Sequence, residues 1–383
     1  MAFYRDIFLQ FLRLGLSSFG GPAAHLVNFE RHFVEQKAWL TKAQYQQLVA
    51  LCQFLPGPAS SQVGIGIGLQ RGGLTGALLA FIGFTLPSFA LMTMAGLFGL
   101  LWLGSAAIEG ALCALVVIVA HAIWLMSKSL APDWPKRTVA LLGFGCFLWL
   151  QQPALQLLVL LLFALAGAWL LRPAAVDSAP ALAVAQRHSR AFLALFFVLL
   201  LGLPLLSLWL GSEPLLQLVQ QCYQAGALVF GGGHVVLPLL EQQAGAALTH
   251  SDFLAGYATA QVMPGPLFSF AAYLGAASLG FTGAVLATLA IFLPGALLVC
   301  AIWPWWHRLS RNRPLLGAVA AVNCAVIGLL AAGWCLFIVP HAATTHWHWL
   351  FMLAGWFAVV RAGLSPVLLI PIGILLFSVH GWF

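Results

Sequence analysis

The chain has 383 residues, of which 62% are hydrophobic and only 7% are charged, and it carries a formal net charge of +7. Soluble domains have about 25% charged residues, so this composition excludes an ordinary soluble protein and indicates an integral membrane protein. The excess of Lys and Arg reports orientation in the membrane and does not indicate nucleic-acid binding. The seven cysteines form no CxxC pair, which argues against a disulfide framework or a metal site. No cofactor is expected.

Helix-length apolar runs predict a bundle of membrane-spanning helices and not a β-barrel. Breaks at Gly, Pro and charged residues divide the chain into about thirteen apolar segments, several of them shorter than the ~20 residues that a span requires. Clear spans are predicted at 75–101, 107–127, 191–210, 283–303 and 315–339. Pairs of shorter helices are predicted at 138–151 with 154–171 and at 347–360 with 366–380.

Positive charges in the short loops assign the two sides of the membrane. The loops around 128–137, 172–190, 308–313 and Arg361 carry Lys or Arg and are predicted to be cytoplasmic. The segment 30–42 and Arg71 fall on the same side, so residues 44–71 enter and leave from the cytoplasm as a re-entrant hairpin. Residues 4–29 are a second re-entrant candidate, with a full span and an external amino terminus as the alternative.

A passage with Gly and Pro clusters occurs twice. Phe19-Gly20-Gly21 aligns with Phe230-Gly231-Gly232 at an offset of 211 residues, and Pro56-Gly57-Pro58 aligns with Pro264-Gly265-Pro266 at an offset of 208. The loop at 241–252 lacks Lys and Arg, which places it outside and inverts the second copy. The predicted fold is an all-α integral membrane protein with two inverted-topology repeats and re-entrant or broken helices.

The same argument predicts the domain organisation. Residues 1–172 form the N-terminal transporter repeat, 173–190 a cytoplasmic linker, 191–210 a linking transmembrane helix, and 211–383 the C-terminal inverted repeat. The single span at 191–210 supplies the odd crossing that turns the second repeat over.

Inverted repeats with broken helices are typical of secondary transporters, whose substrate site lies near the membrane midplane where the broken segments meet. Helix starts present free N–H groups and the positive end of the helix dipole, which together bind anions. Gly lets the backbone approach an oxyanion closely. The alternative is an anion channel that uses the same hairpins as a selectivity filter. No nucleophile triad or phosphate loop in the sequence supports an enzyme.

The candidate substrate-binding residues lie at or beside the breaks. They are Gly20, Gly21, Pro22, His25, Gln53, Pro56, Gly57, Pro58, Ser60, Gly231, Gly232, Gly233, His234, Gln261, Pro264, Gly265, Pro266 and Ser269, together with Arg13. A structural role is the alternative for the two histidines, and a bond back to helix carbonyls is the alternative for the serines. Glu30 and Glu241 occupy aligned positions and are candidates for carrying a coupling proton, with a solvated interfacial acid as the alternative.

Several of these motifs together resemble the chromate ion transporter family in its long two-domain form. The matching stretches are 14–22 with His25 and Glu30, Trp39-Leu40, 53–58, 230–233 and 261–266. The resemblance covers most of the chain and implies a multi-pass carrier of the bacterial inner membrane that exports chromate and confers chromate resistance. Sulfate, an isosteric dianion, is implied as a competitor or alternative substrate. The expected partners are this small oxyanion and the lipid bilayer, with no nucleic acid, and a homodimer is left open.

Overall fold

The structure is a computed structural model that describes residues 2–19, 21–99, 105–171, 188–211, 213–229, 240 and 248–380. Within these residues the secondary structure is helical, with no β-strand. The longer helices are Ala2–Ser17, Gly21–Phe29, Lys42–Phe54, Ala59–Phe98, Ser105–Leu130, Trp134–Trp149, Pro153–Leu170, Ser189–Leu210, Pro214–Leu228, His250–Val262, Phe270–Ile302, Arg313–Gly333, His346–Ala362 and Leu369–His380.

Among the residues that the structure describes, five helical segments are long and apolar enough to cross a membrane, and the predicted spans fall largely within them. They are Ala59–Phe98, Ala106–Leu130, Ser189–Leu210, Leu267–Leu309 and Arg313–Ala342. Both predicted pairs of shorter helices are present as well. The chain is therefore an all-α, multi-pass membrane protein, as predicted. The count of about thirteen apolar segments and the inverted orientation of the halves stay predictions.

Local sequence explains several helix ends. Thr41 and Gln44 form a reciprocal capping box at the start of Lys42–Phe54, with Thr41 N–H donating to Gln44 Oε1 at 2.9 Å. The Asp133 side chain accepts from Lys136 N–H at 3.1 Å and so caps the helix that follows the basic loop. These caps satisfy backbone N–H groups that have no partner inside the helix.

Two long helices are sharply folded, and we call Ala59–Phe98 and Phe270–Ile302 the bent helices. The first would measure about 60 Å if straight, twice the ~30 Å of the hydrocarbon core. Its backbone leaves helical values at Gly72 and Gly73, where φ of Gly73 is +63°. The second does the same at Leu279 and Gly280, where φ of Gly280 is +66°. This positive φ favours glycine, and the two bends are 207 residues apart in the sequence.

Each bent helix turns back on itself at its bend. The Gly68 backbone packs directly against Gly76, and the Gly275 backbone packs against Gly283. Eight residues along a straight helix would separate such a pair by about 12 Å. A short arm therefore precedes a long arm in each case, and only the long arm approaches the length of a membrane span.

The chain divides into two compact units, and neither coincides with one sequence half. The first unit comprises Met1–Leu97, Ala174–Val236 and Met263–Arg313, and the second comprises Phe98–Pro173, Leu237–Val262 and Pro314–Phe383. Both units therefore combine segments from both halves. The domain boundaries drawn from the sequence stay a prediction, and most of the expected linker, 172–187, lies outside the described residues.

In the second unit, glycines allow close approach of helices, as is common in membrane proteins. The Gly110 backbone packs against Gly373, and Gly167 packs against Gly317. At one end of the Ser105–Leu130 helix, His348 Nε2 lies 3.7 Å from Glu109 Oε2. This contact agrees with the loop-charge argument, which assigns the start of span 107–127 and the 340–346 turn to the same side.

In the first unit, Arg71 joins three points of the chain that are far apart in sequence. Its guanidinium lies over the rings of Phe3, at 5.3 Å, and Trp39, at 5.1 Å. Phe11 of the first helix packs on Phe29 of the returning arm, with 5.9 Å between ring centroids. The chain thus returns to the same place after residues 4–38 and again after 40–70. This supports the prediction of two hairpins, whose relation to the membrane stays a prediction.

Candidate functional site

The helices of the first unit are interrupted at the repeated Gly and Pro clusters. Helix Ala2–Ser17 ends immediately before Ser18, and the next helix starts at Gly21, which has a φ of +80°. Helix Lys42–Phe54 is separated from the first bent helix by residues 55–58. In the second half, helix Pro214–Leu228 ends before Val229, and residues 263–266 precede a 3₁₀ turn at Leu267–Ser269.

Two exchanged backbone hydrogen bonds bring these interruptions together. Gly57 N–H donates to Val229 O at 2.7 Å, and Gly265 N–H donates to Ser18 O at 2.9 Å. Ser18 and Val229 are themselves aligned at the 211-residue offset. The backbone of each Pro-Gly-Pro loop therefore donates a hydrogen bond to the residue that follows the first helix of the other sequence half. We call Ser18, 56–58, Val229 and 264–266 the break cluster.

Both Pro-Gly-Pro loops require glycine at their centre, because the backbone has a positive φ there and a Cβ atom would collide with a neighbouring side chain. Gly57 has a φ of +121° and Gly265 a φ of +105°, values that L residues with a Cβ rarely adopt. A Cβ at Gly57 would lie 2.9 Å from Gln62 Nε2, and one at Gly265 would lie 2.8 Å from Ser88 Oγ. The loops thus combine a backbone conformation that favours glycine with close packing, and the approach of an oxyanion to these glycines stays a prediction.

A buried side chain braces each loop. Gln62 Nε2 donates to Pro56 O at 2.8 Å and lies 3.4 Å from Gly295 O. Ser269 and Ser88 lie 207 residues away from Gln62 and Gly295, respectively, and their side chains form the corresponding contact, a 2.6 Å hydrogen bond between the two Oγ atoms. Ser88 Oγ also donates to Thr85 O at 3.0 Å. Ser269 Oγ therefore contacts Ser88 and not a carbonyl of its own helix, and its role in substrate binding stays a prediction.

The breaks leave backbone donors at the starts of the bent helices. Gln62 N–H donates to Pro58 O at 2.9 Å and makes the first helical bond. The preceding N–H groups, those of Ala59, Ser60 and Ser61, have no acceptor inside the helix because the helix starts there. Together with the positive end of the helix dipole, they form an arrangement that stabilises an anion.

His25 lies next to this helix start. Its Nδ1 is 3.3 Å from Ser60 Oγ, and its ring packs edge-on against Phe84 with 5.3 Å between centroids. The side chain is only 1% exposed, and Nε2 has no hydrogen-bond partner in the part of the chain that the structure describes. The structure therefore places His25 and Ser60 together beside the first Pro-Gly-Pro loop, and their role in substrate binding stays a prediction.

Four other predicted residues do not take part in the two backbone hydrogen bonds that define the break cluster. Glu30 and Gln53 line a separate groove on the first unit, and Glu30 Oε1 is 3.7 Å from Lys42 Nζ. Arg13 is exposed. Gln261 is buried and belongs to the second unit. Roles for these residues in substrate binding stay predictions.

Six predicted residues lie outside the part of the chain that the structure describes. They are Gly20, Gly231, Gly232, Gly233, His234 and Glu241.

The sequence prediction missed four contributors to the break cluster and its braces. Ser18 and Val229 contribute only their carbonyl oxygens, which every residue type possesses, so no sequence signal marks them. Gln62 and Ser88 act as braces, but their aligned partners are Ser269 and Gly295. A search for identical residues in the two halves cannot find such a pair.

Comparison with known proteins identifies the class as membrane transport proteins. The sequence profile described as chromate transporter matches residues 5–169 and 216–378, one stretch in each half. The chain belongs to the chromate transporter family. Among its relatives, a chromate transport protein of Cupriavidus metallidurans is 30% identical over 85% of this chain and 80% of the relative.

Two further relatives have the same extent of similarity. A chromate transport protein of Pseudomonas aeruginosa is 28% identical over 86% of this chain and 80% of its own length. An uncharacterized transporter of the archaeon Methanocaldococcus jannaschii is 25% identical over 85% of this chain and 82% of its own length. No solved structure matches the chain.

Proposed function

We propose that this protein is a secondary transporter that exports chromate across the bacterial inner membrane, and that the oxyanion binds at the break cluster. The observation that carries the proposal is the exchange of backbone hydrogen bonds between Gly57 and Val229 and between Gly265 and Ser18. Irregular backbone at membrane depth is tolerated only where protein or a hydrated cavity satisfies it. Broken helices from two halves that meet at one place are the usual substrate site of inverted-repeat carriers.

In this proposal neutral donors hold the anion. The break cluster is built from Gly, Pro, Ser and Val residues, so backbone N–H groups at the start of helix Ala59–Phe98 bind the oxygens, assisted by His25 and Ser60. Hydrogen bonds from N–H groups to an oxyanion are charge-assisted and about twice as strong as neutral ones. Opening one of the two exchanged bonds at a time would give the site access to one side of the membrane at a time.

The test is uptake of labelled chromate into everted membrane vesicles, with and without a proton gradient. A carrier is expected to show saturable uptake that depends on a counter-ion gradient, and unlabelled sulfate added in excess measures whether sulfate competes. Uncoupled anion conductance in a planar bilayer would instead identify a channel. Absence of chromate flux under every gradient would overturn the proposal.

We further propose that Glu30, with its sequence equivalent Glu241, carries the coupling proton. Glu30 is 32% exposed and lies 3.7 Å from Lys42, so it is reachable from water and close to a cation. Glu30→Gln is expected to flatten the pH dependence of chromate transport, because the amide cannot release a proton. Glu35→Gln, which changes an exposed acid seven residues before Lys42, is the matched control. Unaltered pH dependence in Glu30→Gln would remove this role.

A further inference from the structure

A groove of about 240 Å³ lies on the first unit, outside the break cluster. One wall includes Glu30, on the arm that follows Gly21, and the other includes Tyr45, Gln46 and Gln53 of helix Lys42–Phe54. From residue 45 to residue 53 the helix rises about 12 Å. Because Gln53 precedes Pro56 by only three residues, one end of the groove adjoins the first Pro-Gly-Pro loop. The other end lies beside Lys42.

The groove is lined by apolar side chains as well as polar ones, and the polar ones can contact a small hydrated anion. The apolar residues are Leu26, Val27, Val49 and Ala50. Tyr45 O–H donates to Leu26 O at 2.6 Å and holds the two walls together. Gln46 and Gln53 are exposed and two helical turns apart on one face, so both can present amide N–H donors to the groove. The groove volume is several times the about 30 Å³ that one water occupies. It therefore has room for a tetrahedral oxyanion with part of its hydration shell.

The charges at the groove form a weak and accessible pair. Lys42 Nζ lies 3.7 Å from Glu30 Oε1, with the Lys42 side chain 71% exposed and that of Glu30 32% exposed. Ion pairs of this exposure contribute little to stability, so the ammonium group is readily available to an incoming anion. Without Lys42, the carboxylate of Glu30 would be the uncompensated charge at the groove and would repel an anion.

Part of the polar surface at the groove differs between the two halves. At the 208-residue offset, Lys42, Tyr45 and Gln46 correspond to His250, Phe253 and Leu254. Phe253 is 2% exposed and Leu254 is fully buried. Glu30 and Gln53, in contrast, align with Glu241 and Gln261, so the difference between the halves lies in the charge of Lys42 and in the polar groups of Tyr45 and Gln46.

We propose that this groove is the access path by which the oxyanion reaches the break cluster, with Lys42 recruiting the anion and Gln46 and Gln53 guiding it inward. This inference rests on the proposed function, because it assumes that the break cluster binds the transported oxyanion. Lys42 then acts before the binding step and does not hold the anion in the site.

The first test compares Lys42→Gln with Lys37→Gln in the vesicle assay. Lys37 is an exposed lysine of the same loop and lies outside the groove. Lys42→Gln is expected to raise the KM for chromate about fivefold, the effect of one unit charge at 4 Å in water, with kcat unchanged. Lys37→Gln should leave both constants unchanged.

The second test measures whether chromate occupies the groove. In a Cys335→Ser background, which removes the one cysteine that is exposed among the described residues, Gln53→Cys is expected to react with a water-soluble thiol reagent and to be protected by chromate. Gln47→Cys, on another face of the same helix, should react without protection. If wild-type vesicles transport chromate while Lys42→Gln keeps the wild-type KM and chromate gives no protection, the access path is wrong and the proposed function stands. If the wild-type protein transports no chromate, both fail.

Discussion

The two sequence halves make the same backbone contacts in the first unit and support them with different side chains. The bond from Gly57 to Val229 has its counterpart in the bond from Gly265 to Ser18. The brace between Gln62 and Gly295 corresponds in position to the hydrogen bond between Ser269 and Ser88. Close backbone approach thus recurs in both halves, while the polar groups around it differ.

This difference separates two kinds of constraint. A backbone hydrogen bond at a glycine depends on conformation and space, which few substitutions preserve. A brace needs only a donor and an acceptor within reach, which several side-chain pairs provide. The two braces use different side chains, and some polar residues at the groove have no polar counterpart in the other half. These are therefore the places where the two halves can take on different roles during transport.

The largest effect is expected at Gly15 and Gly226, the two glycines whose backbones pack against the bent helices. A Cβ at Gly15 would lie 2.6 Å from Phe84 O, and the aligned Gly226 packs against Ile291 O. Gly15→Ala and Gly226→Ala are both expected to destabilise the protein by about 1–3 kcal/mol or more, because the obstructing atoms are backbone. The measurement is the thermal unfolding midpoint of the purified protein in detergent.

Gly202→Ala is the control for these two variants, since nothing lies within 4 Å of a Cβ at Gly202. In a helix, that change is expected to stabilise slightly, because Ala has the higher helix propensity. If either Gly15→Ala or Gly226→Ala behaves like the control, the two halves do not share this packing constraint.

The second prediction concerns the Pro-Gly-Pro loops themselves. Gly57→Ala and Gly265→Ala are expected to abolish most chromate transport per folded molecule, and to a similar degree, because both alter the break cluster. Gly73→Ala and Gly280→Ala are the controls, since these glycines also have positive φ but nothing lies within 4 Å of an added Cβ. The controls should carry only backbone strain, of order 1–3 kcal/mol.

Transport and unfolding midpoint should be measured on the same four preparations. Loss of transport in Gly57→Ala with normal transport in Gly265→Ala would show that the loops are not equivalent. Equal losses in the loop variants and in the controls would mean that strain alone explains the effect, and the break cluster would lose its special role.

Much of the fold follows from local sequence signals. The five long apolar segments are set by composition, and the positive φ values of Gly57 and Gly265 are set by glycine itself. The exchanged hydrogen bonds were not predictable in the same way. Their acceptors, Ser18 and Val229, use carbonyl oxygens that carry no sequence signature.

The compact units illustrate the same limit. Loop charge and hydropathy predict domains that are each one continuous stretch of sequence. The first unit instead combines three separate stretches, Met1–Leu97, Ala174–Val236 and Met263–Arg313. Which distant segments pack together depends on complementary surfaces, such as Gly226 against Ile291. That information lies in pairs of positions far apart in the chain, which a single sequence does not reveal.

The smallest expected effect is the difference in stability between variants of the two braces. Gln62→Leu removes the donor to Pro56 O, and leaving that carbonyl group unsatisfied costs about 1–3 kcal/mol. Ser269→Ala removes one hydroxyl, but Ser88 Oγ keeps its 3.0 Å bond to Thr85 O, so a loss of only about 0.5–1.5 kcal/mol is expected.

Ser278→Ala provides the matched control for this pair, because Ser278 Oγ bonds back to Leu274 O within its own helix and does not contribute to a brace. The unfolding midpoints should fall in the order Ser278→Ala, Ser269→Ala, Gln62→Leu, with Gln62→Leu lowest. If Ser269→Ala destabilises the protein as much as Gln62→Leu, the two braces contribute equally to stability. The difference between the halves then lies only in the polar residues of the groove. The predicted order would instead make the first Pro-Gly-Pro loop the more rigidly held of the two, which leaves the second loop as the one that moves more easily when the site opens.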